Sequence, residues 1–191
     1  MQPVFNKIFV QIDKKFRDEV STDSGIVFYK DTSYALEDNS TTFGTVVAIP
    51  VNVDKNLVDK DFIHNVQVGD KLYFNFNVVL DTDNLIEHEG QEYWIVDYWN
   101  AICIVRDGVV IPTGSYILVS PVEEEIKSDL IVIPDIAKKK EKNRGVVWST
   151  NCPDLPVGSE VEYDAIGKFW NVIEGKRVYC MFNDNISLKF N

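Results

Sequence analysis

Val66-Gln-Val-Gly-Asp-Lys-Leu-Tyr-Phe74 and Leu155-Pro-Val-Gly-Ser-Glu-Val-Glu-Tyr163 are two versions of one phrase, a Val-Gly corner followed by strand-forming residues. Working outward, each is preceded by a Gly-led apolar run, Gly44-Thr-Val-Val-Ala-Ile49 and Gly145-Val-Val-Trp148. Farther upstream lie Lys7-Ile-Phe-Val-Gln-Ile-Asp13 and Ser115-Tyr-Ile-Leu-Val119. Downstream come Glu92-Tyr-Trp-Ile-Val96 with Asn100-Ala-Ile-Cys-Ile-Val105, then Arg177-Val-Tyr-Cys-Met181 with Asn185-Ile-Ser-Leu-Lys-Phe190. An ordered series met twice predicts two copies of one small β-module. Their expected bounds are 1–111 and 112–191, joined at Arg106–Gly114, where Asp107-Gly108 is a turn and Pro112 and Gly114 are breakers.

The apolar runs are short, rich in Val, Ile, Tyr and Phe, and separated by Gly, Pro, Asn and Asp. That predicts an all-β fold, two tandem small barrels with long loops. Ile8, Val10 and Ile12 alternate with polar neighbours, so the first strand is half buried. In both copies a bare apolar triplet sits in a segment too polar to fold alone. Ile26-Val27-Phe28 lies within Arg17–Thr42, and Leu130-Ile131-Val132 within Glu123–Arg144. These two stretches and Pro50–Asn65 carry no strand pattern and read as loops; loops this long in compact β-domains serve a purpose or are disordered. The second copy is trimmed, with 13 positions from Gly145 to Gly158 against 25 from Gly44 to Gly69.

Composition narrows the function. The net charge of −11 is concentrated in residues 1–111, which hold 9 Lys+Arg against 18 Asp+Glu, and it opposes a nucleic-acid partner. No apolar run reaches the length of a membrane span, and Asn6 and Lys7 interrupt any N-terminal signal core, so a cytoplasmic location is expected. Cys103, Cys152 and Cys180 form no close pair, which fits reducing conditions.

His64 and His88 stand in no metal-ligand or nucleophile–base spacing. Asp81-Thr-Asp-Asn84 lacks the Gly and distal Glu of a calcium loop and reads as a polar turn. With no phosphate loop, Cys-x-x-Cys pair or nucleophile elbow, the expectation is a non-enzyme without cofactor or metal. Trp94, Trp99, Trp148 and Trp170 neighbour apolar residues and read as core or module contacts, and Lys138–Lys140 as a solvated loop face.

Taken in order, these motifs resemble the GroES family of co-chaperonins. Ser24-Gly25-Ile26-Val27-Phe28 is similar to that family's mobile-loop motif. Phe43-Gly-Thr-Val-Val-Ala48 is similar to its following strand, and Val66-Gln-Val-Gly-Asp70 to its corner. The likeness covers most of 4–105, with a shortened version over about 112–190. It implies a lid for a chaperonin cage, with loop 17–42 mobile, loop 50–65 at the roof, and a homo-oligomeric ring in which terminal strands of neighbouring modules pair. Gly25, Ile26, Val27 and Phe28, with Leu130, Ile131 and Val132, would then bind the chaperonin's apical domains. The duplication and the Asn/Asp/Tyr-rich sequence are reminiscent of phage-encoded versions. A seven-position ring cannot be filled by whole two-module chains, so either only the first module enters it or the count differs. The alternative keeps the fold and makes the chain a virion or assembly component without chaperonin binding.

Overall fold

A computed structural model describes residues 2–22, 24–33, 35–51, 66–125 and 139–190, without the side chains of 20, 123–125 and 139–142. The chain divides into two compact units, Met1–Val109 and Val110–Asn191. The fold is all-β, in two tandem domains.

The strands are β1 (Lys7–Gln11), β2 (Glu19–Ser21), β3 (Val27–Tyr29), β4 (Phe43–Ala48), β5 (Lys71–Phe74), β6 (Leu85–His88), β7 (Gln91–Asp97), β8 (Ala101–Arg106) and β9 (Val109–Pro112). They are followed by β10 (Tyr116–Glu125), β11 (Lys139–Thr150), β12 (Glu160–Tyr163), β13 (Phe169–Ile173), β14 (Lys176–Phe182) and β15 (Ile186–Phe190). One sheet runs β6-β7-β1-β4-β5-β8-β9 and another β13-β14-β10-β11-β12-β15, while β2 and β3 pair only with each other. Position for position, six strands of the first sheet reappear in the second in the same order. The expected barrels differ in one respect: among the described residues both sheets are open series. Of their four outermost strands, β6, β9 and β13 are arms of tight hairpins and β15 is the fourth, each paired on one side only among the described residues.

The repeat extends to single residues. Val10 stands opposite Val46 and Trp94, and its counterpart Val119 stands opposite Val147 and Tyr179. A register shift falls between Phe9 and Val10, and again between Leu118 and Val119. A second falls between Tyr73 and Phe74, and again between Glu162 and Tyr163. Bulges bend a strand and deepen its twist, so both sheets are shaped at the same points.

The Gly that opens each central strand has a steric cause. A Cβ on Gly44 would lie 2.7 Å from the Gln11 carbonyl oxygen and 2.7 Å from the Ile12 side chain. One on Gly145 would strike the equivalent Ser120 carbonyl and the Val119 side chain. The corners are equally matched. Gly69 N–H donates to the Val46 carbonyl and Val46 N–H to the Asp70 carbonyl, at 2.8 and 2.9 Å. Gly158, Val147 and Ser159 make the same two bonds at 2.8 and 2.9 Å.

Hairpins β6–β7 and β13–β14 turn on Glu89-Gly90 and Glu174-Gly175, with both residues of each pair at positive φ. That backbone matches the twist of the flanking strands. Ile117, Val119, Val147, Val161, Tyr163, Tyr179 and Met181 form the core of the second unit. In the first, Ile8, Val10, Val46, Leu72, Phe74, Val96 and Ile102–Ile104 are buried.

Three expectations change. Arg17–Thr42 contains β2, β3 and a helical turn at Leu36–Asn39 instead of an unbroken loop. Glu123–Arg144 is narrowed from both sides, because β10 runs to Glu125 and β11 begins at Lys139, so Lys139 and Lys140 lie on a strand. Register there sets Glu124 opposite Lys140 and Glu125 opposite Lys139. Among the tryptophans, Trp94 is buried and Trp148 and Trp170 are half-buried. Trp99 is exposed, its ring edge-on to Tyr98 at 4.9 Å.

Candidate functional site

Residues 15–41 of the first unit are held at their root and free at their tip. At the root, Arg17 N–H donates to the Asn39 carbonyl (2.7 Å), and its guanidinium reaches the carbonyls of Ser40 (3.2 Å) and Asp38 (3.3 Å). Thr41 N–H donates to the Lys15 carbonyl at 3.0 Å, and Phe16 forms a bridge with Ser40. The helical turn feeding this clamp starts at Ala35, which has φ +53°, and is closed by the Ser40 hydroxyl on the Leu36 carbonyl. Lys14 pairs with Glu19 where the hairpin leaves the sheet, and that bond raises the Lys14 ammonium above its ordinary value. Beyond the hairpin Asp31 accepts from the backbone and hydroxyl of Ser33, which lowers its carboxyl below the usual range.

From this root β2 and β3 project as a two-stranded hairpin, with Glu19 opposite Tyr29, Val20 opposite Phe28 and Ser21 opposite Val27. Lys30 N–H donates to the Asp18 carbonyl at 2.7 Å at the base. Gly25, at φ +79°, turns the tip. A cavity of about 490 Å³ lies at the root, lined among others by Ile12, Phe16, Arg17, Phe43 and Lys71.

The four candidate residues Gly25, Ile26, Val27 and Phe28 are thus brought together. Ile26 is 55% exposed, Val27 46%, Phe28 56% and the adjoining Tyr29 73%. Ile26 and Phe28 lie two apart and share one face of the hairpin, with Val27 and Tyr29 on the other. Neither face is buried, and an isolated two-stranded hairpin is marginal in water. Ile26, Val27, Phe28 and Tyr29 thus form a run of four exposed apolar residues between polar flanks. Leu130, Ile131 and Val132 lie outside the described residues, as does nearly all of the roof-like loop 50–65.

No other chemistry converges among the described residues. Asp81–Asn84 forms a short turn in which the Asp81 carboxylate accepts from Asp83 N–H at 3.0 Å. His88 is exposed and faces Glu89 at 3.8 Å, and His64 lies outside the described residues. Among the described residues no three His, Cys, Asp or Glu side chains are grouped to hold a metal ion. No helix there is long and apolar enough to cross a membrane. No family model matches the sequence, and no curated protein matches it.

Sequence reasoning found the apolar residues but missed their presentation. The strand partner, Glu19-Val-Ser21, is three residues of no distinctive pattern. The usable signal was Gly25 placed directly before the β-branched pair Ile26-Val27.

Proposed function

We propose that this chain is a co-chaperonin-like lid that docks on chaperonin apical domains through Ile26, Val27 and Phe28 and so assists protein folding. The observation that carries the reading is the exposure of this apolar strip at the tip of a projecting hairpin. The order of motifs shared with the GroES family supports it.

Magnitudes suit a lid. Fully burying such a side chain is worth roughly 1.5–3 kcal/mol, and these three are about half exposed, so one hairpin gains roughly 2–5 kcal/mol. Alone that corresponds to about millimolar affinity or weaker. Several hairpins on one ring bind far more tightly through effective concentration, yet each still releases easily. Neighbouring copies assemble into that ring at the outer edge of β15, beside which no strand is paired among the described residues. A phage origin and action in the host cytoplasm belong to this same reading.

The open edge of β15 also favours a second reading, a virion or assembly component that uses the duplicated domain as scaffold. Co-sedimentation with a chaperonin in the presence of nucleotide separates the two. The lid reading expects the wild type in the chaperonin fraction and Ile26→Asp left in the supernatant. A wild type that stays in the supernatant while self-assembling removes the lid and leaves the scaffold. An Ile26→Asp variant that sediments like wild type removes the strip from the contact.

A further inference from the structure

We propose that the cavity at the root of residues 15–41 is a binding site for a small organic cation, an ammonium group carried on an aromatic or aliphatic body. The exposed strip Ile26–Tyr29 takes no part in it, and the assignment stands whether or not the chain caps a chaperonin.

The cavity has the size and walls of a small-molecule site. Its volume of about 490 Å³ falls within the roughly 300–1,000 Å³ that such pockets occupy. Ile12, Phe16 and Phe43, each half-buried, give it apolar surface. Three basic side chains border it, and all three are engaged. Lys14 is paired with Glu19. The Arg17 guanidinium donates to the Ser40 and Asp38 carbonyls at 3.2 and 3.3 Å. The Lys71 ammonium stands over the rings of Phe43 and Tyr73, 4.5 and 5.1 Å from their centroids. An anionic ligand would have to displace one of these contacts.

Asp18 is the opposite case. Its carboxylate borders the same cavity, yet the Oδ1 oxygen is shut away from solvent and accepts no hydrogen bond among the described residues. A buried carboxylate oxygen without a donor is costly. The backbone there is fixed, because the Asp18 carbonyl accepts from Lys30 N–H at 2.7 Å and the neighbouring Arg17 is clamped to residues 38–40. Relief therefore comes from a donor that enters the cavity, met by a turn about the soft Cβ–Cγ bond of the side chain. Water would supply a donor and leave the charge uncompensated; an ammonium supplies both. Asp13 adds a second carboxylate at the exposed rim. The excess of 18 acidic over 9 basic residues in 1–111 draws cations toward the mouth.

The test titrates 2-phenylethylamine into the full-length chain, read by calorimetry and by the backbone amide shifts of residues 11–19, 26–29 and 41–45. Neutral 2-phenylethanol and anionic 3-phenylpropionate keep the ring and change the head group. Only the amine should saturate, with shifts at 11–19 and 41–45. Asp18→Asn should weaken it about tenfold or more, from one lost charge-assisted hydrogen bond. Asp13→Asn should weaken it only about twofold, because that carboxylate stays in water. An amine that does not saturate overturns the site. So does an alcohol or acid that binds as well as the amine, or an Asp18→Asn variant that binds like wild type. Shifts at 26–29 alone would put the amine on the exposed strip and overturn it equally.

A measurement on the free protein separates a binding role for Asp18 from a structural one. Without ligand, Asp18→Asn should melt at or above the wild-type midpoint, because it removes an unpaired charge. The amine should then raise the midpoint of wild type and leave that of the variant unmoved. A clear fall in the free variant would mean that the carboxylate holds the fold, and the assignment would fail.

Discussion

In β8 the side chains of Ala101, Ile102, Cys103 and Ile104 are all buried, whereas β15, which holds the same place in its sheet, leaves Ser187, Leu188 and Lys189 exposed. The ladders before these strands agree to the residue, down to the bulges. What differs is the neighbour: β8 runs between β5 and β9, and β15 has β12 on one side and no described strand on the other. The sequences follow suit, a continuous apolar run for the enclosed strand and alternation with Ser and Lys for the edge. A lysine on an edge strand is a common guard against indiscriminate pairing. One strand, placed twice, has become core in one unit and rim in the other.

The largest test of this contrast uses positions that correspond by register. Cys103 pairs with Tyr73 as Leu188 pairs with Glu162. Cys103→Asp buries an unpaired charge and should cost well over about 3 kcal/mol, a large fraction of a domain's stability, so the first unit should unfold in denaturant scans. Leu188 is 55% exposed, and Leu188→Asp should stay within about 0.5 kcal/mol of wild type. If β15 is the assembly edge, that variant should instead reduce self-association in sedimentation velocity. A folded Cys103→Asp protein would break the contrast between the two strands.

The next test expects sameness. Gly44→Ala and Gly145→Ala each push a methyl against a backbone carbonyl that cannot swing away. Both should lose about 1–3 kcal/mol through overpacking, read as paired shifts in thermal midpoint. A loss confined to one unit would show that the two crossings of β1 with β4 and of β10 with β11 are less alike than their registers.

How much of this was visible in the chain alone follows the same division. Residues whose backbone geometry is dictated locally were legible: the Val-Gly corners, Asp107-Gly108, and the Gly-led strands that cross another strand closely. Strands made by pairing were not. Leu85–His88 and Phe169–Ile173 became strands because Glu89-Gly90 and Glu174-Gly175 fold them back, and Glu is an unusual residue for such turns. In the candidate site, Ile26, Val27 and Phe28 stood out by polarity contrast. Their hairpin rests on a three-residue partner strand, which leaves almost no periodic trace.

A third contrast lies at the first rung of each sheet. Lys7 stands opposite Asp97 as an exposed ion pair, and Tyr116 stands opposite Phe182 as an aromatic pair with ring centroids 4.4 Å apart. Burial, with a smaller contribution from Cys180, pushes the Tyr116 hydroxyl well above its ordinary value of 10.0. The raised folded-state value means that the native unit keeps a proton which the unfolded chain gives up above pH 10. Stability from this group is therefore full below that pH and falls above it, by about 1.4 kcal/mol per pH unit for one proton. Tyr116→Phe should flatten that alkaline limb in urea unfolding from pH 9 to 11, and an unchanged slope would place the alkaline sensitivity elsewhere.

The smallest effect belongs to the other member of that pair. The Lys7 ammonium and the Asp97 carboxylate are 3.5 Å apart with both side chains well exposed to water. Such pairs gain little over hydration and are screened by salt, so Lys7→Ala should cost at most about 1 kcal/mol. The difference between wild type and variant should shrink further as ionic strength rises. Measured beside Tyr116→Ala, which removes a buried ring and should cost about 3–5 kcal/mol, the two substitutions ask whether one rung does the same mechanical work in both sheets. A Lys7→Ala loss that rivals Tyr116→Ala and survives high salt would mean that packing by the lysine stem, rather than its charge, holds the first rung of β1 against β7.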